Sequence, residues 1–215
     1  MQAFTQHAGV VIPLPRRNVD TDAILPKQYL KKIDKEGFGA HLFDDERYLD
    51  PGDVDTPLDQ RRPNPDFILN QEPYRRGSVL LAQANFGCGS SREHAVWALQ
   101  DFGIRVVIAP SFGEIFHNNC FNNGVLPIVL PESEIEQLFE LCGRQPEQQI
   151  SVDLQENQVS WGDESWSFQV DPARREALLA GLDDIGITLE RAEKIQQYEA
   201  RRRREEPWLF HMAGR

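Results

Sequence analysis

A glycine-rich segment in the middle of the chain carries the side chains best suited to chemistry. It reads NFGCGSSREHA over residues 85–95 and presents the hydroxyls of Ser90 and Ser91 next to the guanidinium of Arg92. A serine hydroxyl acts as a base only where nearby positive charge stabilises its oxyanion. Arg92 and the free N–H groups of a helix start would supply that charge and bind a carboxylate or phosphate. The segment therefore predicts removal of a proton from a carbon beside a bound carboxylate, with Arg92 holding the carboxylate.

The flanking sequence predicts a strand-to-helix turn around these residues. Ser78–Ala84 is a mostly apolar run typical of a buried strand, and Ala95–Phe102 has apolar residues at helical spacing. Ser90 and Glu93 fit the S-x-x-E pattern of a capping box, so the helix should begin at Ser90. In the alternative interpretation Ser90 only caps this helix and Arg92 is a surface side chain.

The rest of the chain predicts an α/β fold with a mixed sheet. Apolar runs predict strands around Val10–Ile12, Arg105–Ala109 and Val125–Leu130, the last near a sheet edge because of Pro127. Three short alternating segments over 149–170 indicate an antiparallel meander. Further helices are expected over 112–119, 132–142, 172–181 and 189–204, whereas 27–76 is irregular with one helix around 35–43.

Composition narrows the class of protein. The 215 residues carry a net charge of −11, which disfavours nucleic acid and anionic membranes as partners. No apolar run approaches the roughly 20 residues that cross a bilayer, and the N-terminus does not resemble a secretory signal. Three widely spaced cysteines predict a reducing cytoplasm rather than a disulfide framework. Neither the histidines nor the cysteines have metal-ligand spacing, so we expect no metal bound by this chain.

Four segments carry a resemblance to a known family. NFGCGSSREHA closely resembles the active-site motif in the swivelling domain of aconitase-type hydro-lyases. Asn18–Pro26 (NVDTDAILP), Gly37–Phe43 (GFGAHLF) and Phe102–Pro127 resemble parts of the separate small subunits of 3-isopropylmalate dehydratases. The likeness extends to about residue 205. It implies a single three-layer β/β/α swivelling domain over 1–205, as in the aconitase C-terminal domain, with a tail over 206–215.

The resemblance also implies a function shared between two chains. A large subunit would form a heterodimer with this one and bear a [4Fe-4S] cluster acting as Lewis acid on the substrate hydroxyl. The pair would isomerise 2-isopropylmalate to 3-isopropylmalate through a dehydrated intermediate in leucine biosynthesis. A related dicarboxylate substrate, such as homoaconitate or citraconate, and a non-catalytic anion-binding module are the alternatives. We also expect residues 27–76 to be poorly ordered until the partner docks.

Site residues follow from the same resemblance. Ser90 matches the serine that shuttles the carbon-bound proton, Arg92 the arginine that binds a substrate carboxylate, and Ser91 a backbone contact. Gln28–Lys31 occupies the position of the substrate-discriminating loop, where Tyr29 and Leu30 would face the isopropyl group, unless Leu30 only packs in the core. Three further residues resemble family positions near the active site, but no step of the reaction is assigned to them: Asp20, Thr21 and Asp22.

Overall fold

The protein is built on one mixed sheet of seven strands. A computed structural model describes residues 1–31 and 36–210. The strands lie in the order β4-β3-β2-β1-β5-β6-β7. Their bounds are β1 Gln6–Leu14, β2 Val79–Ala82, β3 Val106–Ala109, β4 Leu126–Val129, β5 Gln149–Asp153, β6 Gln158–Trp161 and β7 Glu164–Ser167. The α/β fold with a mixed sheet is thereby confirmed.

Eight α-helices accompany the sheet in the described part of the chain. They are α1 Thr21–Ile24, α2 Asp44–Arg47, α3 Glu93–Phe102, α4 Glu114–Asn122, α5 Glu132–Arg144, α6 Pro172–Ala180, α7 Asp184–Leu189 and α8 Ala192–Glu205. Short 3-10 turns occupy Lys27–Lys31, Gly39–His41, Leu58–Gln60, Ile68–Asn70, Tyr74–Arg76 and Pro207–Leu209. In the described residues, none of these helices combines the length and apolar character needed to cross a membrane.

Strand β1 joins a parallel half of the sheet to an antiparallel half. On one side β1 pairs in parallel with β2, with Val11 opposite Val79, and β3 and β4 continue the parallel order. On the other side β1 pairs with β5 in antiparallel register, with His7 opposite Val152. Strands β6 and β7 complete the predicted meander. The edge position predicted for Pro127 is confirmed, because β4 is the last strand of the parallel half.

Successive side chains along each strand point to opposite faces of the sheet, and this alternation produces two cores. Ile12 of β1 packs with α3 and α4 in the first core, whereas Val11 points to the opposite face and belongs to the second. Buried residues of the antiparallel strands, such as Val152 and Trp161, join that second core together with residues of α5 and α6. The sheet therefore curls so that its two halves cover one apolar interior, while α3 and α4 form a layer outside the parallel half.

The irregular stretch differs from expectation in its local detail. The helix predicted around 35–43 is wrong: a 3-10 turn occupies Gly39–His41, and the chain turns at Phe43 before α2. Phe43 has a left-handed φ of 53°, which interrupts a continuous helix. Lys35 lies outside the described residues. Asn18–Pro26, predicted as a polar turn, contains the single-turn helix α1.

The C-terminal helices extend beyond the main cores. Every residue of α8 is exposed or half-buried, and Ile195 and Tyr198 are among the exposed large apolar side chains. Trp208, which follows in the last 3-10 turn, is also exposed. The single domain over 1–205 with a separate tail stays a prediction, as does the partner-dependent order of 27–76.

Candidate functional site

Residues 83–92 form the turn between β2 and α3, and its backbone is fixed from two sides. Gly87 and Gly89 have left-handed φ angles of 70° and 92°. A Cβ at Gly87 would lie 2.2 Å from Cγ of Phe116, so the turn sits directly on α4. The amide of Gly87 donates to the carbonyl of Val19 at 2.7 Å, and the amide of Thr21 donates to the carbonyl of Cys88 at 3.0 Å. The turn is therefore held between α4 and the chain segment at the start of α1.

The predicted capping box is absent, which is a correction to the sequence analysis. Helix α3 begins at Glu93 with Arg92 as its N-cap residue, and no side chain caps it. Arg92 has an extended backbone, with φ −130° and ψ 105°, so Ser90 lies two residues before the N-cap instead of occupying it. The carboxylate of Glu93 accepts from Nδ2 of Asn123 at 2.9 Å. The hydroxyl of Ser90 is thus not used to cap the helix, and Ser90 is exposed.

Thr21 is the immediate neighbour of Ser90. Its hydroxyl donates to the carbonyl oxygen of Ser90 at 3.0 Å and lies 3.4 Å from Oγ of Ser90. Thr21 is buried at the start of α1, and Asp20 caps that helix by accepting from the amide of Ala23 at 2.7 Å. The structure therefore brings the predicted Asp20–Asp22 segment against the Ser90 turn. Thr21 orients this turn, while Asp20 has a local structural partner.

Arg92 is held by an ion pair within the site. Its Nη1 donates to Oδ1 of Asp22, and the side chains of Arg92 and Asp22 are 19% and 51% exposed. A guanidinium has five N–H donors, so this pair orients Arg92 while leaving other donors for a bound anion. Ser91 is exposed beside it. The arrangement presents the two hydroxyls of Ser90 and Ser91 and one oriented positive charge on an open surface.

His94, next to the turn, and the two buried cysteines of α4 and α5 pack among other side chains. The ring of His94 lies 4.5 Å from that of Trp97 and 5.6 Å from that of Phe38, and burial lowers its pKa, which favours the neutral form. Burial raises the pKa of the Cys142 thiol to about 12 and also raises that of Cys120. These thiols stay protonated at neutral pH and do not act as nucleophiles.

Tyr29 points into the interior of the protein, whereas the sequence predicts that it faces a ligand. Its side chain is completely buried and its ring stacks on His41 at 4.0 Å between centroids. Burial and the neighbouring Asp44 raise the pKa of its phenol, so it remains neutral. Leu30 is half-buried and packs against the first core, as the alternative interpretation has it, so only part of its side chain is available to a ligand.

Sequence reasoning missed the buried pair that surrounds Tyr29. Asp44 and Arg61 are both buried and bind each other through two hydrogen bonds. They come from an irregular stretch without periodicity, where their charges are indistinguishable from those of exposed neighbours such as Asp45 and Arg62. The sequence signal for this pair is Gly52, whose missing side chain makes room for Arg61. A glycine alone does not identify the residue that occupies the space beside it.

No group of three or more His, Cys, Asp or Glu side chains within residues 1–31 and 36–210 is arranged to hold a metal ion. The donor set of the described residues therefore does not fit an iron–sulfur cluster, which is usually held by several thiolates. Its three cysteines are free and come from separate elements.

Comparison with known proteins gives concordant matches over almost the whole chain. The aconitase C-terminal domain matches residues 1–133, a model described as LeuD_N matches 136–172, and the C-terminal domain of the 3-isopropylmalate dehydratase small subunit matches 184–211. The 3-isopropylmalate dehydratase small subunit of Marinobacter nauticus is 58% identical over 212 residues, covering 98% of this chain and 99% of that protein. Its counterpart from Methylibium petroleiphilum is 56% identical over 210 residues, covering 97% of each.

A solved structure shows the same fold. The crystal structure of 3-isopropylmalate dehydratase from Methanocaldococcus jannaschii has 26% sequence identity and a TM-score of 0.62. The match covers 90% of this chain and 99% of that one.

Proposed function

Because this chain belongs to the family of 3-isopropylmalate dehydratase small subunits, we propose that it isomerises 2-isopropylmalate to 3-isopropylmalate with a large subunit. The reaction belongs to leucine biosynthesis. The observation that carries the proposal is the exposed Ser90 hydroxyl on a turn fixed by backbone hydrogen bonds, next to Arg92. Free cysteines suit the reducing cytoplasm in which we place this activity.

Ser90 has the role of moving the proton. Dehydration removes a proton from one carbon and hydroxide from its neighbour, and rehydration returns them in exchanged positions. Oγ of Ser90 takes the carbon-bound proton and gives it back, while the cationic side chain of Arg92 stabilises the alkoxide. Arg92 also binds one substrate carboxylate through its donors not occupied by Asp22, and the backbone at Ser91 adds a further contact.

The other half of the chemistry belongs to the partner. A [4Fe-4S] cluster on the large subunit would supply a Lewis acid for the departing hydroxyl. The exposure of Ser90 and Ser91 suits this division, because a second surface must cover them before water is excluded from the reacting atoms. On this chain Thr21 keeps the turn in position for that closure through its bond to the Ser90 carbonyl.

Leu30 supports an alkyl-bearing diacid as substrate. Its apolar side chain is half-buried on the first core, on the segment that follows α1. An apolar surface tolerates an isopropyl group, whereas a third carboxylate placed there would lose hydration without gaining a partner. Homoaconitate therefore fits the site less well than isopropylmalate.

A reconstitution assay tests the proposal. The purified chain is mixed with a cluster-loaded large subunit of the family, and turnover of isopropylmalate, citrate and homocitrate is compared. We expect isopropylmalate to react fastest and the isolated chain to be inactive. Faster turnover of homocitrate would reassign the substrate. An assembled pair that binds isopropylmalate without converting it would instead indicate an anion-binding module.

A further inference from the structure

A buried ion pair lies in the irregular stretch between α1 and β2. The carboxylate of Asp44 is fully buried and the side chain of Arg61 is 2% exposed. Nη1 and Nη2 of Arg61 donate to the two oxygens of Asp44 at 2.6 and 2.7 Å. Because burying two charges has a large desolvation cost, such a pair persists only where further hydrogen bonds complete it.

The surroundings of Arg61 are shaped to its guanidinium. Nε and Nη2 donate to the carbonyl of Asp50 at 3.2 and 2.8 Å, and Cζ lies 4.1 Å from the centroid of the Tyr48 ring. A Cβ on Gly52 would lie 2.4 Å from Cζ of Arg61. Position 52 therefore accommodates glycine but not a larger residue while Arg61 stays in place.

This network holds the segment Lys27–Lys31 through Tyr29. Nη1 of Arg61 donates to Oη of Tyr29 at 3.3 Å, and the Tyr29 ring stacks on His41 with an interplanar angle of 17°. The amide of Tyr29 also donates to the carbonyl of Pro26 at 3.1 Å. Tyr29 is thus the inward anchor of a 3-10 turn whose neighbouring residue, Leu30, is half-buried.

A backbone hydrogen bond connects the same network to α1, the helix that contacts the Ser90 turn. Phe43, immediately before Asp44, donates its amide to the carbonyl of Ile24 at 2.8 Å. Ile24 is the last residue of α1, and Thr21 at the first position of α1 contacts Ser90. The buried pair therefore fixes the end of the short helix whose beginning orients Ser90.

We propose that Asp44, Arg61 and Tyr29 are positioning residues, which set Lys27–Lys31 and Leu30 relative to Ser90 and so govern recognition of the substrate's alkyl group. All three are buried, so they would act without direct contact with the substrate. Their action passes through the turn that they hold. The identity of the alkyl-bearing substrate rests on the proposed function, but the positioning itself does not.

The first test is Tyr29→Phe in the pair with the large subunit, because this change removes only the hydroxyl and keeps the ring stacked. We expect KM for isopropylmalate to rise about fivefold, because the turn loses the long hydrogen bond of 3.3 Å from Arg61, while kcat stays within about twofold. Preference for isopropylmalate over 2-methylmalate, which has a methyl in place of the isopropyl group, should fall by a similar factor. The matched control is Tyr198→Phe on the exposed helix α8.

A second variant separates positioning from general stability. Arg61→Lys keeps the positive charge but loses the two-point contact with Asp44, so it should shift the same preference in the same direction. A lower unfolding temperature in both variants with unchanged KM and unchanged preference would overturn the proposal, since a merely structural pair gives that result.

Amide hydrogen exchange on the whole chain tests whether Tyr29 holds Lys27–Lys31 in place, and it does not depend on turnover. Tyr29→Phe should accelerate exchange of amides in Lys27–Lys31 about fivefold or more, with β2 and β3 unchanged. Equal protection in wild type and variant would refute the role of the network. If the wild-type pair did not convert isopropylmalate, the proposed function would fail, and this exchange measurement would still settle the inference.

Discussion

The Ser90 turn and the Asp44–Arg61 network are two polar clusters built in opposite ways. In the turn, backbone hydrogen bonds and left-handed glycines fix the conformation, and the side chains of Ser90 and Ser91 remain exposed. In the network, buried side chains hydrogen-bond each other, and the backbone carbonyl of Asp50 accepts the remaining bonds from Arg61. Polar groups left open can meet a substrate, whereas those enclosed in the fold can only determine where other groups lie.

The largest effect on stability should come from Asp44→Asn. Arg61 would keep its charge in a buried site without a counter-ion, and breaking such a pair reduces the free energy of unfolding by about 3–5 kcal/mol. Urea denaturation of the isolated chain measures the change. Asp163→Asn, on an exposed turn, is the control and should leave the midpoint unaltered. A small loss for both variants would mean that the network is not a structural centre.

Ser90→Ala should produce the reverse pattern. We expect kcat of the assembled pair to fall about 10³-fold, within the range for loss of a general base, while urea denaturation stays as in wild type. Substrate binding should persist in equilibrium dialysis. Ser165→Ala on β7, also an exposed serine, provides the comparison. Full turnover by the Ser90 variant would remove this residue from the mechanism.

Gly87→Ala tests whether the turn is indeed fixed by its backbone. The new methyl would meet Phe116 in a residue with positive φ, so we expect a loss of about 2–3 kcal/mol in unfolding free energy. Gly143→Ala in α5 has open space around the new methyl and should stabilise the protein by about 0.5–1 kcal/mol through helix propensity. Equal effects of both changes would contradict the described packing.

Arg92→Lys should have a smaller effect confined to activity. A lysine keeps the charge but loses the fork geometry that binds a carboxylate at two points, so kcat/KM should fall about tenfold. Arg144→Lys, in an exposed helical pair with Glu140, is expected to be neutral. Steady-state kinetics of the assembled pair provide the comparison.

The smallest expected effect is a change in the free energy of unfolding at acidic pH. Burial opposes ionisation of Asp44, but the neighbouring side chains of His41, Arg61 and Tyr29 outweigh this effect and lower the pKa of its carboxyl below 3.8. A carboxyl with a depressed folded pKa adds stability above its unfolded value, and this contribution disappears as pH falls through the folded value. Wild type should therefore lose more unfolding free energy than Asp44→Asn between pH 5 and pH 2, which thermal unfolding at several pH values measures.

Sequence alone predicted the sheet far better than it predicted the irregular stretch. Strands such as β3 and helices such as α5 follow from apolar runs and helical spacing, which are local signals. The capping box failed because Arg92 has an extended backbone and is itself the N-cap residue, with its side chain paired to Asp22 of α1. Tyr29 turned inward because Arg61, distant along the chain, supplies a partner for its hydroxyl. Both errors arise from contacts between residues far apart in sequence, which periodicity does not record.

The central place of β1 has a consequence for how the molecule is made. The ribosome releases this strand well before its neighbours in the sheet, β2 and β5, as the pairings of Val11 with Val79 and His7 with Val152 show. Nascent β1 therefore has unpaired edges until β5 has been synthesised, which favours slow folding and exposes the growing chain to aggregation.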